Sequence, residues 1–222
     1  MKFTLAQRLS AEFLGTAGIV AVVIGAGHMA AQLAAVPSIY LVMNAVAVAS
    51  VLFALVSLFA SVSGSHFNPV VTLVFWIRKE IAGTDAAGYL VAQIAGAISG
   101  ALLANLMFGE AVFTQSQNIR SGLGIHVAEV VASFGLLLVI LLMSQQGKNN
   151  LIPGAVSLWI LAACLFTSST SFANPAVTIG RAFSDAGSSI AWESVPMFIV
   201  AQVLGALLAL GAATFFKSKT ER

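Results

Sequence analysis

A chain of 222 residues that is 59% hydrophobic and only 8% charged is not a soluble domain, since ordinary globular domains carry roughly 25% charged residues. Its formal charge of +2 comes without any basic cluster able to neutralise several phosphates, which excludes a nucleic-acid-binding module. Cys164 is the single cysteine, so no intrachain disulfide forms, and metal-ligand spacing is absent.

The polar residues are unevenly spread and leave apolar runs of about twenty residues, long enough to cross a roughly 30 Å hydrocarbon core. They predict an all-α membrane protein. Met1 to Arg8 carries Lys2 and Arg8 ahead of an apolar run. That run is longer than the core of a signal peptide and contains Glu12, so it reads as a first span over about 10–32. A loop with Pro37 leads to a second span at about 39–60. A short apolar helix at about 69–77 ends in Arg78-Lys79-Glu80, and a third span follows at about 86–108. Phe108 to Ser121 is a polar loop. The fourth span covers about 123–144, and Pro153 opens the fifth, to about 170. A second short helix at about 175–183 and the polar stretch Ser184 to Glu193 precede the sixth span, about 195–216.

The two short helices are one element written twice. His66-Phe67-Asn68-Pro69-Val70-Val71-Thr72-Leu73 returns as Phe172-Ala173-Asn174-Pro175-Ala176-Val177-Thr178-Ile179. Each follows a Ser-rich run, and proline at a first helical position lacks only a donor that a helix start leaves unpaired. The preceding asparagine is a favoured N-cap. Each copy therefore reads as a loop turning into a half-helix with an amide at its positive end.

Six crossings put Lys2, Arg8, Arg78, Lys79, Lys148, Lys217, Lys219 and Arg222 on one side and only Arg120 and Arg181 on the other. By the positive-inside rule the first side, which holds both termini, is cytoplasmic. Glu12 and Glu129 match, one in the first span of each three-span half. An odd number of spans per half makes the halves (about 1–110 and 123–222) inverted repeats of a single transmembrane domain. Such repeats with broken helices place a solute path at the midplane. Non-helical backbone at that depth is tolerated only where it is buried in protein or lines a wet cavity. Two loops entering from opposite faces thus imply a pore, with carbonyls near Gly64 to Phe67 and Ser171 to Ala173 as acceptors and Asn68 and Asn174 as central donors.

Six spans, two half-helices, paired Asn-Pro boxes and two membrane-embedded glutamates together resemble the major intrinsic protein family, the aquaporins and aquaglyceroporins, over essentially the whole chain. The resemblance implies passive conduction of small uncharged solutes, one pore per subunit of a homotetramer in the lipid bilayer of the cell (inner) membrane, and no cofactor. It makes Asn68, Pro69, Val70, Asn174, Pro175 and Ala176 the pore centre and Glu12 and Glu129 supports for the loops. Val70 stands where alanine is usual. Val177 stands where most of the family has an arginine that forms the narrowest constriction. Counting from the asparagines, the other filter positions are Val48, Ala162 and Ser171, although a slip of one residue brings Ala49 or Ala163 to the lumen instead. The set Val48, Ala162, Ser171 and Val177 has no aromatic, histidine or cation, which implies a wide, weakly cationic outer constriction.

The run Asn-Pro-Ala-Val-Thr-Ile-Gly-Arg resembles a bacterial branch associated with arsenic resistance, so arsenous acid, methylated arsenicals and glycerol-like polyols are the expected solutes, with some water. His66 is a candidate gate at the cytoplasmic mouth, against a hydrogen-bonded structural role. Arg181 is a candidate for the outer mouth, against snorkelling to the surface and pairing with Asp185. The rival readings are a water-selective pore and a structural junction protein with little transport. No nucleophile–base pair or metal cluster suggests an enzyme.

Overall fold

The computed structural model describes residues 3–217, which are helical wherever they are regular. Lys2, Lys219 and Arg222 of the charge count lie outside the described residues. Six long segments, α1 (Leu5–Gln32), α2 (Pro37–Ser63), α4 (Gly83–Met107), α5 (Leu123–Gln145), α6 (Ile152–Phe166) and α8 (Val195–Phe215), are joined by the short α3 (Pro69–Ile77) and α7 (Pro175–Gly180). The six long ones, α6 counted with the 3-10 turn before it and α8 with the one before it, are long and apolar enough to cross a membrane.

Several boundaries differ from expectation by a few residues, three of them with a visible local form. Helix α1 begins at Leu5 because Thr4 and Gln7 form a reciprocal capping box, which holds the polar start in the helix. Helix α6 stops at Phe166, four residues early, where Thr167 turns to extended backbone. Helix α7 tightens into a 3-10 turn over Arg181–Phe183.

The long helices form a chain of neighbours, α4–α1–α2–α6–α5–α8, and the short α3 and α7 fill the gap between α4 and α8. The closest approaches rest on glycine. A Cβ at Gly96 would sit 2.3 Å from the Phe13 carbonyl oxygen, and one at Gly100 2.2 Å from that of Ala17, so α1 and α4 meet backbone to backbone. Gly205 does the same for α8 on α5, with 2.4 Å to the Val130 oxygen. Lipid tails are as apolar as leucine, so close van der Waals contact between small residues supplies the association that water would otherwise drive. The outside is correspondingly greasy, with Phe53, Leu58, Val91 and Leu158 all more than half exposed.

The candidate pore

Each half-helix is started by its asparagine. Asn68 has extended backbone, its Oδ1 accepts the Val70 N–H at 3.1 Å, and Pro69 follows. Asn174 Oδ1 accepts from the Ala176 and Val177 N–H groups at 2.9 and 3.2 Å. With the acceptor spent on its own helix, each amide reaches across to the other half. Asn68 Nδ2 donates to the Ala173 carbonyl and Asn174 Nδ2 to that of Phe67, both at 2.8 Å. Each NH2 group keeps one further hydrogen. Two helix N-termini, each equivalent to roughly +0.5 charge, meet at this crossing.

The loops that feed the half-helices are bent through left-handed backbone at Ser65, Phe67, Thr170, Ser171 and Ala173, all with φ between 48° and 61°. For residues with a Cβ this geometry costs roughly 1–2 kcal/mol each, and buried carboxylates hold it in place. Glu12 Oε1 accepts from Ser63 Oγ (2.6 Å) and His66 N (3.0 Å), and its Oε2 from Phe67 N (2.6 Å) and Gln93 Nε2 (2.8 Å). Glu129 accepts from Phe172 N, Ala173 N and Gln202 Nε2 at 2.9, 2.9 and 2.7 Å.

Gln93 and Gln202 are site residues that the sequence reading missed. Gln93 Nε2 also donates to Thr72 Oγ1 (3.0 Å) and Gln202 Nε2 to Thr178 Oγ1 (2.9 Å), so each glutamine ties a carboxylate to a half-helix. The signal was available, since Val91-Ala92-Gln93 with Gly96 repeats as Val200-Ala201-Gln202 with Gly205.

Both loops border one cavity of about 340 Å³, together with Asn68, Asn174, Val48, Ser171 and Val177. The cavity reaches Ser144 and Asn149 at one end of the bundle and Arg181 at the other. Ala162 does not border it. That residue lies on the exposed side of α6, while Val156, Ile160 and Cys164, four residues apart, present the inner face. The helical period gives the physical reason: Val156, Ile160 and Cys164 stack one turn apart on one face, and Ala162, two residues from either of the last two, falls on the other. Ala49 and Ala163 are buried against neighbours rather than at the lumen.

Arg181 neither snorkels nor pairs with Asp185, whose carboxylate accepts the Gln117 N–H instead. It is 4% exposed, its Nε donates to the Ser188 carbonyl, and its guanidinium carbon lies 3.4 Å from the centre of the Phe172 ring. Arg120 lies over the same ring at 5.2 Å and donates to the Ser189 and Gly187 carbonyls. Burial lowers the pKa of Arg120, which has no carboxylate within salt-bridge distance among the described residues. The outer cavity therefore holds an aromatic ring and a cation besides the small side chains expected there. His66 borders the cavity with its Nδ1 3.1 Å from Thr72 Oγ1 and its ring packed on Phe75 and Tyr89.

Two half-helices capped tip to tip inside a six-helix shell, with a cavity running past both caps, define a polytopic membrane channel. Residues 1–171 match the Major intrinsic protein family. The chain is 43% identical to the aquaglyceroporin AqpS of Rhizobium meliloti over 94% of its own length and 89% of that protein. It is 31% identical to a glycerol uptake facilitator-like protein of Lactiplantibacillus plantarum, over 72% and 78%. The aquaglyceroporin of Plasmodium falciparum superposes with a TM-score of 0.78 at 18% identity, covering 98% of this chain and 97% of that one. The chain belongs to the major intrinsic protein family.

Proposed function

We propose that the chain is an aquaglyceroporin-type channel that conducts glycerol-like polyols, arsenous acid and methylated arsenicals, with some water, down their gradients. The observation that carries this reading is the cavity shared by both Asn-Pro loops, in which Asn68 and Asn174 present amide donors at the crossing of two positive helix ends. Uncharged hydroxyl-bearing solutes exchange water for these donors and the loop carbonyls, whereas a cation meets unfavourable potential there. The 43% identity to an aquaglyceroporin supports the solute class.

In this reading Val48, Ser171 and Val177 face the solute, Glu12 and Glu129 brace the loops, and His66 borders the inner mouth. The protein works as a homotetramer, with one pore per subunit and both termini in the cytoplasm, the side that carries eight of the ten basic residues. Stopped-flow light scattering on proteoliposomes tests the function. Re-swelling after glycerol and arsenous acid steps, faster than in empty vesicles, is the expected result. Arg181 and Phe172 at the outer cavity favour a second reading, a water-selective pore. Fast water exit without re-swelling would establish it. Absence of any protein-dependent flux would leave a structural junction role.

A further inference from the structure

Resting on the channel reading, we infer that Arg181 is the fixed charge that excludes cations and orients solutes in the outer pore, a task displaced four residues along the chain from Val177. Val177 and Arg181 are one helical turn apart, roughly 6 Å along the axis, and both border the cavity. Arg181, the first residue of the 3-10 turn that continues the half-helix, thus faces the lumen further from the central asparagines.

The surroundings of Arg181 are those of a group held for use. The only hydrogen bond of its side chain among the described residues is Nε to the Ser188 carbonyl. No carboxylate among the described residues lies within salt-bridge distance of it. The stacking on Phe172 fixes the plane of the guanidinium without consuming a donor. Both terminal nitrogens, with four N–H groups, remain for whatever occupies the cavity. A purely structural arginine at 4% exposure would spend those donors on carbonyls or a carboxylate, because a buried unpaired charge is strongly destabilising. Ser171 adds a second polar group to the same cavity, since its hydroxyl is buried, has no partner among the described residues and belongs to a lining residue. A planar fork of donors next to a hydroxyl suits solutes with neighbouring oxygens, and the same positive charge repels potassium or a proton carrier.

The test uses the full chain in proteoliposomes and reads two quantities, glycerol re-swelling and a voltage-dye signal under a potassium gradient. Wild type passes glycerol and holds the gradient as well as empty vesicles. Arg181→Gln keeps a donor for Ser188, and Arg181→Met keeps the stem against Phe172, so the two neutral variants carry different folding risks. Either one, recovered as folded protein, is expected to raise potassium leak roughly tenfold, the change for about 1.4 kcal/mol of barrier. Arg181→Lys is expected to restore exclusion, a rescue that a packing role would not produce. Neutral variants that conduct glycerol and still hold the gradient like wild type would overturn the inference and leave the channel reading standing. A wild type with no glycerol flux would overturn the channel reading, and the inference with it.

Discussion

Glu12 and Glu129 are buried carboxylates whose lone pairs are nearly all taken by loop N–H groups and a glutamine amide. Removing the acceptor orphans several buried donors at once, at about 1–3 kcal/mol for each. Glu12→Ala is therefore expected to abolish recoverable folded protein, or to lower its unfolding temperature sharply in detergent. Glu12→Gln keeps one acceptor oxygen and is expected to fall between alanine and wild type in both stability and solute flux. Full wild-type stability of Glu12→Ala would remove the bracing role. Val177→Arg places a second guanidinium one turn from Arg181 in the same cavity. Glycerol flux is expected to fall roughly tenfold or more, equivalent to at least about 1.4 kcal/mol of added barrier, while the protein still folds. Unchanged glycerol flux in well-expressed variant would take Val177 off the solute path.

At the scale of elements, the helix pairs α1–α4 and α5–α8 depend on backbone contact that any Cβ disturbs. Gly100 faces the Ala17 oxygen and Gly205 the Val130 oxygen, and backbone atoms cannot swing aside as a flexible side chain does. Overpacking of this kind costs typically 1–3 kcal/mol. Gly100→Val and Gly205→Val are expected to lower thermal stability in detergent and to broaden the elution profile. Gly124→Ala, where an added Cβ meets nothing within 4 Å, is the control and should leave both unchanged. Half-helix α3 packs on α8 and α7 packs on α4, each touching a long helix of the opposite half. With the two reciprocal asparagine bonds, this makes the pore centre a joint product of both repeats.

For the whole molecule, the asymmetry of basic residues predicts the sidedness of its loops. Lys148 and Gln115 are exposed on connections between successive long helices and should lie on opposite sides of the membrane. In a Cys164→Ser background, Lys148→Cys is expected to react with an impermeant maleimide only in inside-out vesicles, and Gln115→Cys only in right-side-out ones. Labelling of both from one side would contradict six crossings. Light scattering of the detergent-solubilised protein is expected to give four chains per particle, and a monomer mass would refute the tetramer.

Much of the architecture was legible in the residues because a bilayer leaves few choices. Backbone groups in lipid must bond within their own segment, so apolar runs of sufficient length have to be helices. The repeated Asn-Pro boxes mark the two interruptions because a capping asparagine followed by proline favours a helix start. Even the Glu–Gln–Thr braces were written twice, although Gln93 and Gln202 carry no meaning until the fold brings them to Glu12 and Glu129. What only the tertiary structure decided is which face of each helix meets the cavity. Rotation about a helix axis depends on neighbouring contacts, and in α6 it brings Ile160 and Cys164 rather than Ala162 to the lumen. The place of Arg181 was undecidable in the same way. A surface ion pair with Asp185 and a buried stack on Phe172 use the same sequence, and only the carbonyl of Ser188, brought back by the loop after α7, selects the second.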